Sequence, residues 1–455
     1  MNRNLLFVLS DQFRAMALED DPVATPVLDR FAEESIVLSQ AVSSYPVCSP
    51  HRAMLLTGVH PSRNGVFMNL NTANVEHGVR LRDDVPSWAR ALADSGYDTA
   101  WIGKWHLQEP LLPDDEIHGE GRREDGKVWD AWSPPHRRFG FKEWYSHGCC
   151  DSHLHPHYWP TEAPRERPDR VHRWSAEHET DVAINFLSRP RANPFALAVS
   201  WNPPHQPFDE LPPDANRAYA ALSPEELLVR PNVAWGTPAA DEAAAIAPDY
   251  FAAVEAIDAQ FGRLLETLDR QGLAEDTIVV FTSDHGMQLG SHGLVYKNVP
   301  FEESMRLPCV IRVPGVGGRR TSAMLSSVDI APTLLGLLGV DVPSGMQGRD
   351  LSSVLLGLAE VDRDESALYY CWSPGRDGAD MRGVRTHGWK YVVGREPDGR
   401  MWQYAIDLQE DPYELHRIED PRVIAPLASR LVTELAAAGD EWEGMDWVWD
   451  QANRG

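Results

Sequence analysis

The chain has 455 residues, 43% hydrophobic and 24% charged, ordinary values for a globular protein with room for a large core and about two or three domains. A net charge of −26 argues against a general nucleic-acid binder, because neutralising phosphates takes basic surface, although a local cluster of Arg, Lys and His can still hold an anionic substrate. No apolar stretch approaches the length of a membrane span, which argues against an integral membrane protein.

The apolar run over 5–9 predicts a buried first strand. It is too short for a signal peptide, so a cytoplasmic location is expected. Five cysteines without disulfide-framework spacing agree with a reducing compartment. A helix is predicted over 26–34, a strand over 36–42, a helix over 86–95 and a strand over 99–102. Strands over 195–201, 277–282 and 310–313 follow, with helices over 250–271 and 329–338. From about residue 367 the texture changes to short strands at 368–372, 383–386, 389–393 and 402–408, closed by a helix over 426–438. The pattern predicts an α/β fold in two parts. Residues 1–365 form a large mixed, mostly parallel sheet flanked by helices, and residues 366–455 a small α+β subdomain with an antiparallel sheet. The segment 108–191, rich in Pro, Trp, His and charge, is expected to make excursions over the ligand-binding face.

Cys48 lies in Cys48-Ser49-Pro50-His51-Arg52, a C-x-P-x-R string that opens a short helix ended by Gly58. A helix N-terminus favours an anion, and Arg52 adds a positive charge on the same face. A nucleophile beside an anion cradle is the implied arrangement. A lone cysteine is more often a small buried hydrophobe, so the rest of the chain decides.

In open α/β sheets ligands bind outside the carboxyl ends of the strands. Asp11 and Gln12 follow the first predicted strand, Lys104 and His106 the strand over 99–102, and Asn202 to His205 the strand over 195–201. Asp284 and His285 follow the strand over 277–282, with Lys297 further on. Any one of these residues has a dull explanation as a helix cap or a solvated side chain. Together they are metal-ligating and anion-binding types gathered at one sheet edge.

These residues carry a resemblance to the type I sulfatases of the alkaline-phosphatase-like superfamily. It rests on Leu9-Ser10-Asp11-Gln12, Cys48-Ser49-Pro50-His51-Arg52, Gly103-Lys104-Trp105-His106, Pro203-Pro204-His205-Gln206-Pro207 and Thr282-Ser283-Asp284-His285-Gly286, with Trp389-Lys390-Tyr391 and Asp407 to Pro412 in the C-terminal part. The resemblance implies that Cys48 is oxidised after translation to formylglycine by a formylglycine-generating enzyme. One hydroxyl of the hydrated aldehyde attacks sulfur, and loss of the other proton collapses the diol and expels sulfate.

It further implies one divalent cation held by Asp11, Gln12, Asp284, His285 and modified Cys48, calcium first, with manganese or magnesium as alternatives. Arg52, Lys104 and Lys297 would bind sulfate, His205 would protonate the leaving alcohol with Lys297 as a second candidate, and His106 would be the base. Asn69 is expected near the nucleophile. The cluster His147, Cys149, Cys150, Asp151, His153, His155 and His157 matches no standard zinc spacing, and His153 and His155 are expected to contact substrate. The expected substrate is an organic sulfate ester, a sulfated carbohydrate ahead of an aryl sulfate. Gln12, where many relatives carry a second Asp, keeps a phosphonate monoester or phosphodiester hydrolase as the alternative. A metal-binding protein with an unmodified thiol is the non-enzymatic reading.

Overall fold

Asn4–Ser10 (β1) is buried along its whole length, as an unbroken apolar run requires of a strand covered on both faces. The structure, a computed structural model, describes residues 3–111, 126–213, 215–372 and 380–453. In chain order, β1 is followed by β2 (Ile36–Val42), β3 (Asp98–Lys104), β4 (Glu143–His147), β5 (His157–Pro160), β6 (Asp169–Arg170), β7 (Phe195–Trp201), β8 (Thr277–Ser283), β9 (Cys309–Arg312) and β10 (Arg319–Ser326). They form one sheet in the order β10-β2-β9-β8-β1-β7-β3-β4-β5-β6. The central strands β8, β1, β7, β3 and β4 are mutually parallel, while β9 runs against β8 and β2, and β5 against β4 and β6. The parallel strands therefore open their carboxyl ends on one edge, where a site is expected.

Alternate residues of β1 serve opposite faces. Leu5, Phe7 and Leu9 pack in the core that holds the helices Trp88–Asp94 and Ile330–Leu338. Leu6 and Val8 pack in the core that holds the helices Ser175–Leu187 and Pro238–Arg270. A second, antiparallel sheet runs β11 (Ser366–Cys371), β12 (Asp380–Thr386), β13 (Trp389–Arg395) and β14 (Met401–Asp407), with the helix Pro421–Ala438 packed against it. Its core also takes in Tyr45, Val47 and Met54 from around the Cys48 helix. Buried Glu302 joins the two sheets, accepting from Arg385 at 3.0 and 2.9 Å and pairing with Lys390 at 2.9 Å. Among the described residues no helix is long and apolar enough to cross a membrane.

The segment expected as excursions is in part framework, because β4, β5 and the helix Ser175–Leu187 belong to the main sheet and its flanking layer. Residues 112–125 of that segment lie outside the described residues. The sequence hid the helix because its inward face mixes Glu179 and Thr180 with Ala176, Ala183, Phe186 and Leu187. β10 also escaped the sequence reading. It is an outermost strand that begins Arg319-Arg320 and shifts register between Thr321 and Met324.

Candidate active site

The helix Cys48–Thr57 is buried at every residue and stops at Gly58, whose φ of +65° is the left-handed ending that glycine takes without strain. Ser49 donates its N–H to Asn69 Oδ1 at 2.9 Å, so Asn69 satisfies an amide of the first turn immediately beside Cys48. Cys48 Sγ stands 3.4 Å from His285 Nε2, 3.7 Å from Asp11 Oδ1 and Lys297 Nζ, and 4.0 Å from Lys104 Nζ. The carboxyl ends of β1, β3 and β8 have delivered their residues to one point.

Ligand atoms of Asp11, Cys48, Asp284 and His285 all lie within 4.8 Å of one another, and all four residues are buried. His285 donates Nδ1–H to the Gly286 carbonyl at 3.0 Å, which leaves the Nε2 lone pair facing both carboxylates at 3.4 and 3.5 Å. Two buried carboxylates, one imidazole nitrogen and a polar group on residue 48 form a donor set suited to a hard divalent cation. Gln12, at φ +65°, gives its backbone N–H to Asp284 Oδ1 at 3.1 Å, while its side-chain oxygen accepts from Lys297 Nζ at 2.7 Å.

Arg52 does not point at open space. Nε reaches Asp284 Oδ2 at 3.0 Å, Nη2 reaches Asp11 Oδ2 at 3.1 Å, and Nη1 donates to the Lys104 carbonyl and Ser200 Oγ at 3.0 and 2.8 Å. The arginine expected to bind sulfate braces the two carboxylates. Lys104 pairs with Asp11 Oδ2 at 2.7 Å and donates to Asn202 Oδ1 at 2.9 Å. Asn202, named from the sequence at a strand end but given no role, and Ser200, not singled out there, sit at the end of β7, and that position is the signal that could have found Ser200.

The charges set protonation. Burial raises Asp11, but Lys104, His205, Lys297 and His285 outweigh it and hold the carboxyl well below its usual range. Burial and the neighbouring Asp11 push Asp284 up. Burial and Asp11 press the Cys48 thiol up, yet Lys104, Lys297 and His285 outweigh them and hold it well below the usual range. His205 is held down to about 4 by burial and by Lys297 and Lys104. Its Nδ1 donates to the Gln206 carbonyl at 2.9 Å and lies 3.7 Å from Asp151 Oδ1. His106 goes the other way: burial opposes protonation, but Cys149 and Cys48 overcome it and push the ring up to about 9. His106 donates Nε2–H to the Leu70 carbonyl at 3.0 Å.

Of the His-rich cluster, His153 donates to the His205 carbonyl at 2.8 Å and so supports the His205 loop. His155 is exposed, with its Nδ1 3.0 Å from His172 Nδ1, rather than being gathered with Cys48. Asp130, absent from the sequence reading, organises this loop. Its Oδ1 accepts from the Gly148 and Cys149 amides at 2.7 and 2.8 Å, and its Oδ2 lies 2.6 Å from His157 Nε2.

Comparison with known proteins gives the family. Residues 3–340 match the sulfatase family model, and residues 290–441 match the model for the N-sulphoglucosamine sulphohydrolase C-terminal region. The chain is 35% identical to an endo-4-O-sulfatase of Bacteroides thetaiotaomicron, over 96% of this chain and 93% of that one. It is 31% identical to an ulvan-active sulfatase of Formosa agariphila, over 99% and 84%. The crystal structure of YidJ from Bacteroides fragilis superposes with a TM-score of 0.90 at 35% identity, covering 97% of each chain. A cysteine ringed by carboxylates and lysines at the carboxyl edge of a mostly parallel sheet thus coincides with a family match over most of the length, and the chain belongs to the sulfatase family of hydrolases on the alkaline-phosphatase-like fold.

Proposed function

We propose that the protein removes sulfate from a sulfated carbohydrate chain, with Cys48, converted to formylglycine by a formylglycine-generating enzyme, as the nucleophile position. The observation that carries this reading is the placement of Cys48 Sγ between the Asp11, Asp284 and His285 donor set and the ammonium groups of Lys104 and Lys297. The carbohydrate is supported by the relatives, whose names are an endo-4-O-sulfatase and an ulvan-active sulfatase.

Asp11, Asp284 and His285, with residue 48 and the side-chain oxygen of Gln12 beside them, would hold the cation, for which we propose calcium over manganese or magnesium because oxygen donors dominate. When bound, the cation supplies Lewis-acid polarisation. The hydrated aldehyde supplies a hydroxyl nucleophile and a second ionisable hydroxyl. Lys104 and Lys297 bind the sulfate oxygens and offset charge that develops on them. Arg52 keeps Asp11 and Asp284 in place.

Burial, with two lysines facing it, keeps His205 neutral before substrate binds. A bound sulfate ester anion offsets the lysine charges, which favours protonation of His205, the group that would deliver the proton to the leaving oxygen. His106 acts as a base only after losing its proton, and conversion of Cys48 removes one of the groups that hold that proton. The phosphonate or phosphodiester alternative finds no support in these relatives.

Sulfate release from chondroitin 4-sulfate, ulvan and other sulfated oligosaccharides should occur with the wild type and vanish in Cys48→Ala. Mass spectrometry should find the aldehyde on the Cys48 peptide, and elemental analysis should find calcium. Release that persists in Cys48→Ala, or faster turnover of an aryl phosphonate than of any sulfate, overturns the proposal.

A further inference from the structure

The segment that follows β4 meets the His205 loop at two points. His153 Nε2 donates to the His205 carbonyl at 2.8 Å, and Asp151 Oδ1 lies 3.7 Å from His205 Nδ1. The Nδ1–H is already committed to the Gln206 carbonyl at 2.9 Å, so the neutral ring carries its lone pair on Nε2. Among the described residues no group bonds to that Nε2. His205 can therefore gain and lose a proton at Nε2 without turning its ring. At 3.7 Å, Asp151 acts on the ring through its charge rather than through a hydrogen bond.

Asp151 is itself held in place. Asn202 Nδ2 donates to Asp151 Oδ1 at 3.2 Å and to the Cys150 carbonyl at 2.9 Å, while Asn202 Oδ1 accepts from Lys104 Nζ at 2.9 Å. An ammonium can only donate, so Lys104 fixes which end of the amide is oxygen and leaves the N–H end to Asp151. The same lysine pairs with Asp11 Oδ2 at 2.7 Å. One amide thus ties the lysine assigned to sulfate to the carboxylate beside the histidine. The Asp151 side chain is only 15% exposed, so water screens its charge poorly. Lys297 and Lys104 disfavour a proton on His205, and Asp11 and Asp151 favour it.

We infer that Asp151 is a positioning residue for proton transfer to the leaving group: held by Asn202, it stabilises the His205 imidazolium from the Nδ1 side and keeps Nε2–H for the leaving oxygen. As the S–O bond breaks, that proton passes to the oxygen, the alcohol departs neutral, and His205 returns to its neutral form, to be protonated again from solvent. The inference rests on the sulfatase reading above and adds to it a group that helps His205 act as an acid.

The test follows kcat and KM for a chondroitin 4-sulfate oligosaccharide, or an ulvan oligosaccharide if the wild type turns that over faster, with 4-nitrophenyl sulfate as the reference. Asp151→Asn keeps the size and an acceptor for Asn202 but removes the charge. On the oligosaccharide, whose alkoxide needs a proton to leave, it should lower kcat about tenfold with KM nearly unchanged. 4-Nitrophenyl sulfate expels a stable phenolate, so its turnover should fall far less. Asp151→Glu should recover part of the oligosaccharide kcat. In a His205→Ala background Asp151→Asn should cost nothing further, because one residue acts through the other. This cycle decides by itself if 4-nitrophenyl sulfate is not turned over. Should Asp151→Asn be insoluble, Asp151→Ser removes the same charge and carries the same expectation. An unchanged kcat, equal losses on both substrates, a loss confined to KM, or the full loss repeated in the His205→Ala background overturns the role. Failure of the sulfatase reading looks different: the wild type then releases sulfate from none of these compounds.

Discussion

Arg52 Nε and Asp284 Oδ2 meet at 3.0 Å with both side chains buried, and the same guanidinium reaches Asp11. The arginine of the C-x-P-x-R string thus aligns two acids from two different strand ends. Its own charge is favoured because, against the cost of burial, Asp284 and Asp11 face it.

Replacing Arg52 by Ala should cost about 3 kcal/mol of stability, because it leaves buried Asp284 without its cation and Asp11 with Lys104 alone. Arg52→Lys keeps the charge but cannot span both acids, so it should recover part of the stability and little of the metal retention. Chemical denaturation and metal content after dialysis read the two effects separately. An Arg52→Ala protein of wild-type stability would contradict the bracing role.

Gly103 should tolerate no side chain. Its φ is +94°, and a Cβ there would lie 2.2 Å from the Ser200 carbonyl oxygen. Gly103→Ala must part β3 from β7 immediately before Lys104, so soluble expression or sulfate release should fall at least about tenfold. Activity and yield near wild type would show that the strands can give.

Glu179 sets an alkaline limit. It is fully buried and pushed up to about 8 by burial, while Tyr158 donates to its Oε1 at 2.8 Å. His147, 3.7 Å away, is held down to about 3 by burial, so neither group favours its charged form. A carboxyl raised in the folded state contributes stability that is complete below its unfolded value near 4.5 and is lost as pH rises through about 8. The melting temperature should therefore decline between about pH 5 and 8.5. Glu179→Gln, which cannot ionise, should flatten that decline. Parallel curves for the two proteins would count against it.

Lys390 secures the join between the sheets, 2.9 Å from Glu302 Oε1 and 2.5 Å from Glu414 Oε1. Lys390→Met should destabilise by about 3 kcal/mol, since two buried acids lose a shared cation. Urea denaturation measures this, and a midpoint within error of wild type would refute it.

The central strands and the Cys48 helix were legible because their signals are local: unbroken apolar runs, a proline at the start and a glycine at the end. The site was legible because strand-end residues converge wherever the strands are parallel. β4 was not legible, since Glu143, Ser146 and His147 break up its five residues. The bracing contacts of Arg52 could not be read either, because nothing local says that its partners arrive from β1 and β8. The same holds for His106 and His205. Burial and neighbouring charge move the two imidazoles in opposite directions, and both causes exist only after folding.

The helix that carries Cys48 rests on two cores at once. Ala53, Leu55 and Leu56 belong to the core of the large sheet, and Met54 with Val47 to that of the small one. The C-terminal sheet is therefore no detachable appendage. Exchanging it for another module, or ending the chain before Ser366, would unseat one side of the Cys48 helix.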